Sequence, residues 1–577
     1  MVSIRQFGAF NRTVRHLGRY QQILRVLLRY GLSDLVDHLH LDQYLETGLQ
    51  MISRKSRDQE QIERRSRPER LRMALEELGP TFIKLGQLLS VRPDIVPPEY
   101  LKELIKLQDT VPPFSYEEVR KIFQEELGKE PTELFSSFGS EPLAAASISQ
   151  VHHARIAVRG QDGSEQERRV VVKVQRPGLE KIISVDLEIL ARIAQLMEDH
   201  LQEVRGHRPT AIVQEFARSL SREIDFTIEL TNIQHFARQF AGCREIYVPE
   251  PYPALSTNRI LVMERIEGIK ASDVKRLRQE GYDLSLLAER GARLVMEQIF
   301  THGFFHADPH PGNIFFLPGN VVCFIDFGQM GRLLFKDRQS FIELVSGIVS
   351  GDETRVTAVM LDMTVQQGEF DRDALVLDIS DFMSRYLHLS IGEMEIGKIH
   401  WELLRLFSRH RMFLKPGLYL MLKSLGTAEG VGRMLDPEQE MLTLAKPFIK
   451  KLKKEQLSIR RLAAEAADTG SQYLHLLRDL PAETRSILAM LRQGKVRLEL
   501  EHHGLRPMEK ALHRVSNRIA FAIVLAALII GSSLVVLSGI KPKWHDIPII
   551  GIVGFLFAGC MGFGLLISIL REGKGRV

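Results

Sequence analysis

Phe305-His306-Ala307-Asp308-Pro309-His310-Pro311-Gly312-Asn313 and Val321-Val322-Cys323-Phe324-Ile325-Asp326-Phe327-Gly328 are the two stretches that decide the fold. The first places Asn313 five residues after Asp308, the spacing of a kinase catalytic loop. The second is a hydrophobic run that delivers an aspartate directly before Phe327 and Gly328. Such an aspartate can hold a metal against triphosphate oxygens while Asn313 supplies a second oxygen ligand. A lone Asp-Phe-Gly is more often a turn. Its distance from the Asp308 to Asn313 loop, together with the preceding strand, makes coincidence a poor explanation. His302, His306 and His310 invite a metal-cluster reading, but a catalytic loop accounts for them with fewer assumptions. No zinc is assigned, and His306 is read as a packed loop histidine.

Working outward, Val170-Val171-Val172-Lys173-Val174 is a β-branched strand interrupted by one lysine, and an ammonium among apolar neighbours needs an anionic partner. An edge strand with an exposed lysine is the plainer alternative. Helical spacing runs from about Leu71 to Leu127, and strand-like segments cover Pro142 to Arg159 and Arg169 to Gln175. A helical stretch follows from Leu179 to Phe240. Short strands return at Arg259 to Ile266 and Val321 to Ile325, and from Lys336 the chain reads as almost wholly helical. A small mixed lobe followed by a larger helical lobe is compatible with a two-lobed α+β fold. At 577 residues more than one structural unit is expected. The 77 basic against 72 acidic residues give a net charge of only +5, which excludes a dedicated nucleic-acid binder. Three cysteines without a Cys-x-x-Cys pair imply neither a disulfide framework nor a zinc site, and a reducing compartment fits.

The ends point to a membrane. Residues 519–540 and 547–570 are uncharged apolar runs, each of roughly the 20 residues that span a hydrocarbon core. Two transmembrane helices are therefore predicted, against buried core helices as the alternative. Lys510, Arg514 and Arg518 before the first run and Arg571, Lys574 and Arg576 after the second outnumber Lys541 and Lys543 between them, which puts both flanks and the large domain in the cytoplasm. Gly554, Ala558 and Gly562, and Ala527 and Gly531, form small-residue faces suited to hairpin packing, or alternatively to a homodimer seam. Arg5, Arg12, Arg15, Arg19, Arg25 and Arg29 precede the first acidic residue, Asp34, and Leu24, Leu27 and Leu28 share a helical face. This reads as a basic amphipathic helix for an anionic membrane surface. A mitochondrial presequence, or a helix packed on the main domain, are the alternatives.

The wording of the motifs resembles the UbiB family of atypical, kinase-like proteins. Lys84-Leu85-Gly86-Gln87 matches its KxGQ element, Ala144-Ala145-Ala146-Ser147 its alanine-rich loop, and Glu223-Ile224-Asp225 its ExD element, in the expected order with His306 to Asn313 and Asp326 to Gly328. The match is close over roughly residues 70 to 335. The resemblance implies a basic helical N-terminal region over 1–70, a family-specific helical extension over 71–140, a kinase-like N-lobe over 141–266 and a C-lobe over 267–435. A helical linker over 436–518 would precede the two spans. It further implies that Lys173 binds ATP phosphates and pairs with Glu229, that Asp308 is the catalytic-loop aspartate, and that Asn313 and Asp326 hold magnesium. Met263, Glu264 and Ile266 would contact adenine, and Ala144 to Ser147 would replace a glycine-rich phosphate loop with stiffer backbone. Ser149 stands where many relatives have alanine or glycine, which leaves loop flexibility open. Lys84 and Gln87 would enter the nucleotide region with Glu223 and Asp225 nearby, restraining access by a protein substrate. The implied role is an ATPase-like enzyme supporting ubiquinone biosynthesis, with membrane lipids and quinone precursors as partners and quinone-pathway enzymes as further ones. An active protein or lipid kinase and a nucleotide-binding scaffold are the competing readings. Its place would be the bacterial cytoplasmic membrane, or alternatively the mitochondrial inner membrane.

Overall fold

The computed structural model describes residues 17–32, 65–90, 92, 96–107, 111–159, 165–200, 208–366, 371–386, 396–410, 412–441, 443–445, 447–448, 450, 505–538, 540–544 and 547–573. Two compact units divide the chain, Met1–Leu462 and Ala463–Val577. Arg5, Arg12, Arg15 and Asp34, and most of the linker expected over 436–518, lie outside the described residues.

The first unit opens with helix α1 (Leu17–Arg29), followed by α2 (Arg67–Leu78), α3 (Pro80–Ser90), α4 (Pro98–Leu104) and α5 (Tyr116–Leu127). Local chemistry sets these boundaries. Ser66 and Ser115 each accept a hydrogen bond from the backbone of a glutamate three residues on, whose carboxylate returns the bond, closing a capping box at the start of α2 and α5. Gly128 ends α5 at φ 67°, the left-handed turn that glycine adopts without a Cβ penalty.

A four-stranded antiparallel sheet follows: β1 (Ser137–Ala145), β2 (Ser149–Arg159), β3 (Glu165–Gln175) and, after three helices, β5 (Ile260–Glu264). Strand β3 lies between β2 and β5, so the lysine that interrupts its valine run is interior to the sheet, not on an edge. Val170, Val172 and Val174 are fully buried with Val119, Ile122 and Phe123 of α5 on one face, while Lys173 points to the other by the two-residue alternation of a strand. Helices α6 (Leu179–His200), α7 (Pro209–Glu223) and α8 (Phe226–Gln239) intervene before β4 (Ile246–Tyr247). Past β5, the chain leaves the first sheet through Arg265 to Gly268 and enters the second as β6 (Ile269–Lys270).

The second sheet has the order β4-β9-β8-β6, with β8 spanning Ile314–Leu317 and β9 spanning Val321–Phe324. Helices α9 (Val274–Gln279) and α10 (Leu284–Met296) and a π-helical turn, Glu297–His302, lead into β7 (Phe304–His306), which pairs with β10 (Met330–Arg332). Helices α11 (Phe335–Ser350), α12 (Glu353–Met363), α13 (Arg372–Tyr386), α14 (Ile396–Arg409) and α15 (Pro416–Leu435) complete this lobe around a large core that includes Phe300, Phe324, Phe327 and Phe407. The architecture is the expected α+β kinase-like fold.

Helix α1 forms, but not as a free membrane-surface helix. Ile23, Leu24 and Val26 are buried, with Leu27 and Leu28 packed beside them, and Arg19 makes two bonds to the fully buried Asp186 of α6 at 2.7 and 2.9 Å. Its apolar face is covered by protein, so the packed-helix alternative describes Leu17–Arg29.

In the second unit α16 (Leu505–Ser538) and α17 (Ile549–Gly573) form a helical hairpin joined by a short ladder between Lys543-Trp544 and Ile547-Pro548. Among the described residues one stretch, Ile519–Ser538, is long and apolar enough to cross a membrane, with a mean hydropathy of 2.8; the corresponding apolar part of α17 is Ile552–Phe563. The expected small-residue face is half right. Gly554 lies where a Cβ would clash with Ser532 Oγ, Gly562 faces Leu525, and Ala558 is buried. On α16, however, Ala527 is exposed and nothing lies within 4 Å of a Cβ at Gly531, so Leu525 and Ser532 form its side of the seam.

Candidate active site

Two ladders bring the catalytic loops together. His306 ends β7 opposite Met330, and Ile314 starts β8 opposite Phe324, so the segments 307–313 and 325–329 leave paired strands at the same place. Cross-bonds hold them there: Ala307 N–H donates to Gln329 O at 3.0 Å, and Ile325 N–H to Asn313 O at 2.9 Å. The side chain of His306 completes the bracing. Its Nδ1 accepts from the Asp308 N–H at 3.2 Å, so Nε2 carries the proton and donates to Ile325 O at 3.0 Å. Burial lowers the His306 pKa, which favours this neutral tautomer. His306 is thus the packed loop histidine the sequence suggests.

Lys173 Nζ lies 2.8 Å from Glu229 Oε2 and 3.8 Å from Asp326 Oδ1, with its ammonium over the Phe226 ring at 5.3 Å. Burial works against the Lys173 charge, yet the two carboxylates outweigh it and hold its pKa above the ordinary lysine value. Asp326 is lowered, chiefly by Lys173. Burial raises the Glu229 carboxyl, and its Oε1 is buried with no hydrogen-bond partner. An unpartnered buried carboxylate oxygen beside a lysine is one the site keeps at a cost of about 1–3 kcal/mol. Asp326 itself has φ 61°, while Phe327 is fully buried against Phe236 and its carbonyl accepts from Asn232 at 2.9 Å. Buried Phe327 on one side and the Gly328 N–H bonding Asp326 Oδ1 at 3.3 Å on the other turn the carboxylate toward Lys173.

The oxygen donors fit a hard cation. Asp326 is half exposed, and the Asn313 amide nitrogen donates to Asp308 O at 3.4 Å, which reserves its oxygen for a ligand. Carboxylate plus amide oxygen is a magnesium donor set, completed in such sites by water and phosphate.

The family-specific elements meet as well. Lys84 of α3 pairs with Glu223 of α7 at 2.5 Å, both largely buried, and Lys84 contributes to lowering Asp326. Gln87 goes elsewhere: its amide donates to Leu107 O at 3.3 Å, fixing the segment after α4. Asp225 caps α8 by accepting from the Thr227 N–H at 3.0 Å, which aims the helix that carries Glu229. Ala144 and Ala145 close β1, and Ala146 N–H donates to Ser149 O at 2.7 Å, so the alanine-rich segment is a β-hairpin tip. Arg176 holds that tip through Ala146 O at 3.0 Å, and Ser147 is buried with its hydroxyl unpartnered. At the expected adenine hinge, Met263 and Glu264 end β5 and Ile266 lies in the linker between the sheets. The Glu264 N–H is engaged by Glu250 O at 2.8 Å and its carboxylate by the Tyr247 hydroxyl at 2.7 Å.

One contact escapes the motif-based reading. Lys423 Nζ of α15 lies 3.4 Å from Asp308 Oδ2, and the neighbouring Ser424 hydroxyl, fully buried, donates to His306 O at 2.7 Å. The available signal was a lysine and a serine between Leu418-Tyr419-Leu420-Met421-Leu422 and Leu425.

Sequence comparison agrees with this geometry. The ABC1 atypical kinase-like domain matches residues 106–360, the UbiB helical domain 379–440 and the ABC1/UbiB kinase-like C-terminal domain 503–571. A Xanthomonas campestris protein named probable protein kinase UbiB is 32% identical across 96% of this chain and 99% of its own length. The chain belongs to the UbiB family. A Clostridium pasteurianum relative, described as an uncharacterized protein in the hydrogenase 1 5' region, is 34% identical over 96% of this chain and 99% of its own. A solved Mycobacterium tuberculosis protein, in complex with erythromycin, is 22% identical with a TM-score of 0.44, covering 63% of this chain and 91% of that one. In UbiB-family terms, the end of α13 together with α14 and α15 falls in the helical domain, so Lys423 reaches the Asp308 loop from outside the part that matches the kinase-like domain.

Proposed function

We propose that the protein is a membrane-anchored, ATP-binding member of the family that hydrolyses ATP or transfers its phosphoryl group in support of ubiquinone biosynthesis, acting on or presenting lipid-like quinone precursors. The observation that carries the nucleotide reading is the Lys173–Glu229 pair with the Asp326 carboxylate 3.8 Å away. A triphosphate brings negative charge that Lys173 and a magnesium ion would offset together, Asp326 and Asn313 holding the metal. With magnesium bound, charge developing on the transferred phosphoryl oxygens is neutralised. The chain's own residues orient the site: Glu229 fixes Lys173, His306 fixes the loop, and Asp308 faces the nucleophile as proton acceptor. The quinone pathway rests on the name of the relatives, and the membrane on the apolar C-terminal hairpin. The Lys84–Glu223 pair, bringing α3 to the site, favours water or a small lipid-like acceptor over a protein.

The test is MgATP binding and turnover by the full chain in liposomes, with and without quinone-precursor analogues. Asp326→Asn is expected to weaken MgATP binding at least tenfold by calorimetric titration, about 1.4 kcal/mol. Equal affinity of the two proteins would refute the metal-holding role.

A further inference from the structure

The catalytic loop is short of positive charge. Between Asp308 and Asn313 it contains Pro309, His310, Pro311 and Gly312, with no lysine or arginine. His310 is exposed, and its Nδ1 is engaged by the Gly312 N–H at 3.0 Å. The cation beside Asp308 comes instead from α15, where Lys423 approaches Oδ2 at 3.4 Å. The approach is not an incidental surface pair. Lys423 and Asp308 are both mostly shielded, with side-chain exposures of 24% and 32%, and the residue after Lys423 is bonded to the backbone of the same loop. Ser424 has no exposure at all, and Gly417, one end of the same helix, packs where a Cβ would meet Arg332 O at 2.8 Å. Helix α15 is therefore docked against β7 and β10 through its first half, and its lysine is delivered to Asp308 with little freedom.

We propose that Lys423 is a positioning residue of the reaction: its ammonium fixes the Asp308 carboxylate toward the acceptor. This rests on the nucleotide reading above. In hydrolysis the bond between the terminal phosphorus and its bridging oxygen breaks, and ADP keeps the electron pair. Water oxygen bonds to phosphorus, and its proton passes to Asp308. Lys423 bears on that step and not on the adenine or the metal, so its loss acts on turnover and leaves nucleotide affinity nearly intact.

The experiment compares Lys423→Met, Lys423→Arg, Asp308→Asn and the Lys423→Met/Asp308→Asn double variant in the full-length protein. Turnover of MgATP by Lys423→Met should fall at least tenfold with KM within about twofold, and Lys423→Arg should recover most of the loss. The double variant should turn over no more slowly than Asp308→Asn alone, as expected when two residues act through one. A wild-type kcat in Lys423→Met overturns the proposal, and so does a loss confined to KM or one that Lys423→Arg fails to rescue. Thermal melting of the same four unliganded proteins reads the contact without activity. The loss in the double variant should be smaller than the sum of the single losses, and strict additivity removes the pair. If the wild-type protein itself turns over no MgATP, the enzyme reading fails, and the melting arm alone then decides whether Lys423 holds Asp308.

Discussion

Asp326 occupies a backbone region that costs a non-glycine residue about 1–3 kcal/mol, and its neighbours explain why it stays there. Phe327 is buried among Phe236, Phe324 and His306, so relaxing Asp326 would pull an aromatic ring out of the core. Strain at this residue is held by packing at the next. A second residue, far from any motif, is expected to contribute to the response to acid. His400 of α14 is buried against Tyr419 and Trp401, its Nε2 has no hydrogen-bond partner, and burial pushes its pKa down to about 4. The unfolded chain binds a proton there near the ordinary histidine value of 6.5, so it holds more protons than the folded chain between those limits. Stability contributed by neutral His400 is therefore complete above pH 6.5 and is lost progressively as pH falls toward 4, by up to about 3 kcal/mol. Melting curves across that range should show the decline, and His400→Leu should flatten it. An equally steep decline in the variant would assign the acid sensitivity to other groups, His152 and His306 being the nearest in kind.

At the scale of elements, α1 shows how one ion pair decides the use of a helix. Its sequence suits a membrane surface, yet Asp186 is fully buried and has Arg19 as its partner. Arg19→Ala leaves that carboxylate desolvated without its cation and should cost about 3–5 kcal/mol in denaturant unfolding of the main unit. A loss below 1 kcal/mol would mean that water replaces the guanidinium and that α1 is only loosely docked. The contrast also shows what the sequence discloses. The convergence of Asp308, Asn313, Asp326 and Lys173 was legible because local spacing and a lysine in a valine run mark these residues within short windows. Glu229 followed from family resemblance, and the 2.8 Å contact agrees. The fate of α1, the destination of Gln87 and the arrival of Lys423 depend on contacts between segments far apart in the chain, such as the 167-residue separation of Arg19 and Asp186. Periodicity reports that a helix has an apolar face, not whether lipid or protein will cover it. The alanine-rich segment is a hairpin through the pairing of Ala145 with Gln150, a contact between strands that composition does not disclose.

For the molecule as a whole, attachment should reside at the C-terminal end. Ending the chain at Lys510 removes the apolar hairpin, and with the apolar face of Leu17–Arg29 buried the truncated protein should leave liposomes in a flotation assay at physiological salt. Retention that high salt reverses would place a basic attachment in the first 16 residues. The Lys84–Glu223 contact has a consequence of its own. Glu223 closes α7, only Ile224 and Asp225 separate it from α8, and Glu229 on that helix grips Lys173. The position of α3 and the charge geometry at Lys173 are thus joined through a short stretch of chain. If the site binds nucleotide as proposed, thermodynamic reciprocity applies: a ligand that docks on α3 and is coupled through this linkage would change nucleotide affinity by the same factor by which nucleotide changes the affinity for that ligand.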